Sequence, residues 1–334
     1  MPSLITIFAW CAEKTTILVS SMTASKTNDC AGQNRSFAAI EAGGTKFVCG
    51  IGSGPDDLHI TLFPTTTPAA TIARCIEFFR ESARTPLTAI GIASFGPVDL
   101  RLDSPSWGHI TTTPKPGWRN TDLAGPLLEA FEVPVIFDTD GNAAALAEHK
   151  WGAARDVNDC VYVTVGTGIG GGIICDGRLV HGLLHPEIGH MRIPHDVAVD
   201  PFPGSCPFHG DCLEGLASGP AIQARWGCPA AELPREHPAW EIEARYLAVA
   251  ASNLACTISP ARIILGGGVM EQRHLFDLIH QHTLGLLNGY LASERITAEI
   301  DRYIVPPQLG NRAGVLGALA LAEKAPGAGR GTGI

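Results

Sequence analysis

Short apolar runs alternate along this chain with stretches of helical periodicity, and glycine clusters stand at the joins. The first run, FAAIEAGGTKFVCGIG (37–52), predicts a strand, a bend at Gly43 and Gly44, and a second strand. A helix is predicted from about Thr71 to Ala83, a buried strand in TAIGIASFG (88–96), and a helix over 122–131. VPVIFDTD then reads as a strand ending in carboxylates, and the alanine-rich 141–152 segment, which carries Glu148, as the helix after it. The pattern restarts in DCVYVTVGTGIGGGIICDGRLVHG, again strand, glycine turn, strand. A long helix over about 238–258 follows, with Trp240, Tyr246, Leu247, Ala250, Leu254 and Ile258 near helical spacing. RIILGGGVM (262–270) predicts a strand feeding a glycine turn and another helix, and RAGVLGALALAEKA (312–325) an amphipathic closing helix. Strands alternating with helices predict an α/β class with substantial parallel pairing. One glycine hairpin in each half suggests a duplicated domain.

Length and composition narrow this. A chain of 334 residues has room for about two domains. Net charge is −9 with no Lys/Arg run, which argues against a nucleic-acid partner and gives no reason to expect an anionic membrane surface. The 10 cysteines lack the dense spacing of a secreted disulfide scaffold, which predicts a reducing, cytoplasmic compartment. Cys49, Cys160 and Cys175 lie in or beside strand-like runs and read as small buried hydrophobes. Residues 1–36 read as a disordered extension, with Met22 as an alternative start. Glu13 and Lys14 interrupt the apolar Leu4–Cys11 stretch, and no run is long enough to span a bilayer.

Candidate chemistry sits at the joins. Gly43–Lys46, Gly166–Gly172 and Gly266–Gly268 each follow an apolar strand, and glycine lets backbone N–H groups approach anionic oxygens. Thr45 and Thr167 add hydroxyls, and Glu41 is placed to help hold magnesium through water. Each turn alone is more often a plain hairpin. Neither a Walker A motif nor a Rossmann glycine fingerprint is present. Asp138 and Asp140 end a strand where a helix begins; such a carboxylate either accepts a proton from an attacking hydroxyl or caps the helix. His190, Cys206, His209 and Cys212 form a two-imidazole, two-thiolate set suited to a closed tetrahedral zinc shell, hence to a structural and not a catalytic ion. Glu187 and Glu214 flank these ligands and would be fixed by the metal around a polyhydroxylated ligand.

EAGGTK (41–46), DTDGNAAALAE (138–148), VTVGTGIGGG (163–172), HPEIGH (185–190), CPFHGDCLEGLASGPA (206–221) and LGGGVM (265–270) together resemble the ROK sugar kinases. With ITTTPKPGW (110–118) and SGPAIQARWG (218–227), they look most like the bacterial-type fructokinases, and the resemblance covers about residues 37–325. It implies an actin/hexokinase-like fold of two ribonuclease-H-like lobes with the active site in the cleft between them. The N-terminal lobe would comprise 37–140 and 312–325, and the C-terminal lobe 141–311 with a zinc loop at 185–215. It also implies ATP-dependent phosphorylation of fructose at the 6-hydroxyl with magnesium, and a homodimer.

Residue by residue, the resemblance makes Asp140 the catalytic base. It places Gly96, Thr139, Asp140, Glu187, His190 and Glu214 around the sugar, and His190, Cys206, His209 and Cys212 on the zinc. Thr139 and Gly141 stand where the family usually has Asn and Ala. Gly43, Gly44, Thr45, Lys46, Thr167, Gly168, Pro220, Gly266, Gly267, Gly268, Val269 and Met270 fall on the nucleotide side. Glu41 replaces the Asp common in glucose-specific relatives. A kinase for glucose, mannose or an N-acetylhexosamine would share nearly every motif. A sugar-sensing repressor would need a DNA-binding segment before the sugar domain, and residues 1–36 are short and carry only Lys14, Lys26 and Arg35 as basic residues.

Overall fold

The computed structural model describes residues 35–326. The expectations for 1–36 lie outside this range except at Arg35 and Ser36, and Ser36 opens the first strand. The first sheet is built from β1 (Ser36–Ala42), β2 (Lys46–Gly52), β3 (His59–Pro64), β4 (Leu87–Ser94) and β7 (Val135–Thr139). Its order is β3-β2-β1-β4-β7. β1, β4 and β7 run parallel, while β1, β2 and β3 form an antiparallel meander. A small ribbon, β5 (His109–Ile110) and β6 (Thr121–Asp122), lies between β4 and β7 in the chain.

β1 is apolar on both sides because both of its faces are covered. Ala38, Ile40 and Ala42 pack with residues of α1 (Pro68–Ser82) and α2 (Gly125–Phe131), including Phe79 and Leu127. Phe37 and Ala39 point the other way, onto α3 (Asp140–Trp151) and α10 (Ala313–Ala322).

The second sheet contains β8 (Cys160–Val165), β9 (Ile169–Cys175), β10 (Arg178–Leu179), β11 (Arg262–Gly266) and β12 (Ile304–Val305), in the order β10-β9-β8-β11-β12. Val161, Val163 and Val165 face a core shared with α4 (Leu213–Ala217), α5 (Gly219–Trp226), α6 (Ala239–Thr257) and α7 (Leu275–Leu287). Cys160 and Tyr162 face α3. The short helices α8 (Glu294–Thr297) and α9 (Ile300–Tyr303) lead into β12.

Helix α3 therefore serves two cores. Ala143, Leu146 and Ala147 pack with the first sheet, and Ala144 and Ala145 with the second. Its backbone comes very close to both neighbours. A Cβ on Gly172 would lie 2.4 Å from the Gly141 carbonyl oxygen, and one on Gly317 of α10 2.1 Å from that of Ala143. Only glycine allows such approaches.

The closing helix is a correction to its predicted amphipathic form. Every residue of α10 except Gly314 is buried, because the helix is sealed between α3 and the first sheet rather than laid on a surface. The hydrophobic pattern does not separate strand β3 or helix α5, while α7 is the helix expected after the Gly266–Gly268 turn.

Candidate active site

The β7–α3 junction brings the predicted base to the end of a parallel strand, where open α/β sheets present ligand sites. Neither aspartate there caps the helix. Thr139 does so, its hydroxyl accepting from Asn142 N at 3.1 Å. Asp138 is committed elsewhere, accepting from its neighbour Thr139 N, from Asn142 Nδ2 and from His181 Nε2, each at 2.8 Å. Asp140, the first helical residue, takes one hydrogen bond from outside itself, Gly141 N to Oδ1 at 2.8 Å. It is only partly exposed to solvent. That desolvation pushes its pKa up to about 6 against the pull of the backbone N–H groups.

Other carboxylates surround it electrostatically. Glu41, at the end of β1, is pushed up to about 7 by burial and then by the charge of Asp140, with Lys46 opposing. Its Oε2 is buried without a hydrogen-bond partner, and its carboxyl group lies against Gly314 at the start of α10. Glu187 is raised to about 7 by its surroundings and by the charges of Asp140 and Glu214. Its side chain is 42% exposed, so solvent on the open side tempers that shift. Glu214, in the first turn of α4, is held by Ile169 N at 2.9 Å, which places it beside the Gly166–Gly168 turn. Gly96 adjoins Glu187: a Cβ there would lie 3.8 Å from Glu187 Oε1.

The metal-ligating set is gathered. The ligand atoms of His190, Cys206, His209 and Cys212 lie within 4.8 Å of one another. Sγ–Nδ1 separations are 3.8 Å from Cys206 to His190, 3.7 Å from Cys206 to His209 and 3.6 Å from Cys212 to His190. Tetrahedral zinc, with bonds of about 2.3 Å to sulfur and 2.0 Å to nitrogen, requires about 3.5 Å between such atoms, so the donor set fits that ion. Cys206 and Gly210 close a tight turn by mutual backbone bonds of 3.1 and 2.9 Å. Arg192 clamps the same turn, donating to His209 O at 2.6 Å and pairing with Asp211 at 2.7 Å. His190 turns Nδ1 to the thiols, which leaves Nε2 as its only nitrogen for any other ligand.

Of the glycine turns, two are neighbours. A Cβ on Gly267 would strike the Val165 carbonyl oxygen at 2.4 Å, and Gly219 N donates to Gly166 O at 2.8 Å. Gly168, Gly266, Gly268 and the exposed Thr167 and Pro220 thus share one region at the carboxyl ends of β8 and β11. Val269 and Met270 bury their side chains in the core, so any ligand contact there falls to backbone. Gly43, Gly44, Thr45 and Lys46 form the β1–β2 bend of the other sheet, with Thr45 and Lys46 exposed.

The model of the ROK family matches residues 37–325. The chain belongs to the ROK family. It is 47% identical over 295 residues to a fructokinase of Zymomonas mobilis, covering 86% of this chain and 96% of that one. It is 44% identical over 290 residues to a fructokinase of Pediococcus pentosaceus, covering 86% and 98%. Among solved structures, a ROK hexokinase from Thermus thermophilus superposes with a TM-score of 0.68 at 28% identity, over 86% of this chain and 97% of that one. The protein is a sugar kinase with the actin/hexokinase-like α/β fold.

Two residues of this ROK kinase escaped the sequence reading, His181 and His185. His181 is tied to Asp138, and that pairing raises its pKa. The His185 ring is 3% exposed, lies 3.3 Å from Glu187 Oε1 and accepts from Val98 N at 3.3 Å. Their one visible signal is position: both lie just before Glu187, in HGLLHPEIGH. Among the described residues, no helix is long and apolar enough to cross a membrane.

Proposed function

We propose that this sugar kinase transfers the γ-phosphoryl group of ATP to the 6-hydroxyl of D-fructose, with Asp140 as general base. The observation that carries the reading is Asp140 itself. It is an uncommitted, desolvated carboxylate at a strand end, while capping and loop anchoring are left to Thr139 and Asp138. Two relatives at 47% and 44% identity bear the name fructokinase, and they support the choice of fructose.

On this reading Glu187, Glu214 and the Nε2 side of His190 accept and donate to sugar hydroxyls, with Gly96 and Thr139 lining the same place. Asp140 takes the proton as the 6-oxygen bonds to the γ-phosphorus and the bond from that phosphorus to the bridging oxygen breaks, releasing ADP. Glycine turns at 43–46, 166–168 and 266–268 offer N–H groups to the phosphates, from opposite lobes split near residues 140 and 312. The unpartnered Oε2 of Glu41 fits the water shell of a magnesium ion. Magnesium, when bound, would supply charge neutralisation for the transferring phosphoryl group. His190, Cys206, His209 and Cys212 would hold a zinc ion, which would brace the sugar loop without entering proton transfer. The assignment extends to a cytoplasmic protein and to a homodimer, the latter tested by light scattering of the purified protein.

A hexose panel at saturating MgATP tests the substrate. The largest kcat/KM is expected on fructose. Equal or greater kcat/KM on glucose, mannose or an N-acetylhexosamine would move the assignment to that sugar. Tight sugar binding without turnover would instead make the chain a sensor.

A further inference from the structure

We propose that His185 is a positioning residue for the sugar: its imidazole clamps one oxygen of Glu187 to the turn after β4 and so fixes the carboxylate that receives a sugar hydroxyl. This rests on the assignment of Glu187 to the sugar.

The hydrogens can be placed from the geometry. Val98 N–H can only donate, so His185 Nε2, 3.3 Å away, is the acceptor and carries no proton. The remaining ring proton is then on Nδ1, whose acceptor neighbours are Glu187 Oε1 at 3.3 Å and the Pro186 carbonyl, and the proposal gives it to Glu187. The ring is thus neutral, in keeping with the downward pull of burial on its pKa. The contact joins a side chain 3% exposed to one 42% exposed, anchoring one oxygen of an otherwise open carboxylate and leaving Oε2 for a ligand.

Gly96 completes the arrangement. A Cβ there would lie 3.7 Å from the His185 ring and 3.8 Å from Glu187 Oε1, so backbone, ring and carboxylate are mutual neighbours. Pro186 helps locally, because the residue before a proline is held extended, and in an extended segment residues two apart share a side. Two segments far apart in sequence, 95–98 and 185–187, are therefore locked together through one ring.

The test is steady-state kinetics on zinc-replete protein carrying His185→Ala, His185→Asn or His185→Gln, with melting temperature and zinc content measured alongside. The Asn amide stands near Nδ1 and retains a donor for Glu187, whereas the Gln amide stands near Nε2 and retains only the acceptor for Val98. Ala and Gln should raise the fructose KM about tenfold, with the ATP KM within about twofold and kcat within about threefold, while Asn recovers most of the loss. Recovery by Gln and not by Asn would reduce His185 to a buttress of the 95–98 turn and overturn the proposal. So would a parallel rise in both KM values.

Should the Ala protein fail to fold, a cycle of His185→Asn and His185→Gln against Glu187→Gln decides. Additive effects on the fructose KM refute the clamp, and non-additive ones support it. The wild-type hexose panel is run first. A preference for another hexose overturns the fructose assignment alone, and the His185 series is then read on that hexose.

Discussion

Helix α3 carries two carboxylates that share a backbone but not a fate. Glu148, near its C-terminal end, is fully buried and accepts three backbone N–H groups: Ala153 at 2.6 Å, Gln308 at 3.1 Å and Leu309 at 2.9 Å. Asp140, at its start, accepts from Gly141 alone outside its own residue, and its pKa is pushed up. A buried carboxylate costs free energy unless its lone pairs are filled. At Glu148 they are filled, and the group ties α3 to the 308–309 segment ahead of α10. Asp140, only partly buried, receives fewer protein donors, and its desolvation is retained as proton affinity. Burial alone therefore does not mark a reactive acid; burial with an incomplete set of donors does.

Exchanging the chemistry of each carboxylate should separate these roles. Asp140→Asn should lower kcat by about 10²–10⁴-fold while the sugar dissociation constant changes by less than about threefold. It should also raise the melting temperature slightly above pH 7, since the desolvated charge is gone. Near-normal turnover would dismiss Asp140 as the base. Glu148→Gln should do the reverse. It turns an amide N–H₂ toward backbone donors and should cost about 2–4 kcal/mol in urea unfolding, with the fructose KM of the folded fraction little changed. Unaltered stability would show that the three donors find other partners.

The same contrast explains what could be read beforehand. The strand–turn–strand openings and the β7–α3 junction were legible, because apolar runs, glycines and a terminal Asp pair are local signals. The metal-ligating set was legible for the same reason, its ligands being chemically rare and closely spaced. What escaped depends on distance in sequence. The cap passed to Thr139 because Asp138 is drawn to His181, a partner 43 residues away. The role of His185 needs Val98, 87 residues earlier. Closing helix α10 looked amphipathic because Glu323 and Lys324 follow it, yet two layers that do not touch it in sequence bury its whole circumference.

The metal set offers a further break in the comparison, with an effect expected below that of Asp140→Asn. His209→Ala removes a proposed ligand on the exposed side of the tight turn. It should abolish stoichiometric zinc and raise the fructose KM on the order of tenfold, leaving kcat at saturating sugar within a few-fold. Zinc-free protein with an unchanged fructose KM would detach the metal from the sugar site.

The smallest expected effect is on pH. Folded-state pKa values of about 6 for Asp140 and about 7 for Glu41 lie above the ordinary carboxylate range. Between pH ~4 and ~7 the native state therefore holds more protons than the unfolded chain, and linkage makes stability fall as pH rises through that window. Activity must run the other way, because a base works only when deprotonated. Log kcat/KM for fructose should climb through about pH 6 while the melting temperature of the ligand-free protein drifts down. Asp140→Asn should flatten part of that drift. If Asp140→Asn kept the wild-type slope, the proton affinity assigned to the start of α3 would lie elsewhere in the carboxylate group, with Glu41 the next to test.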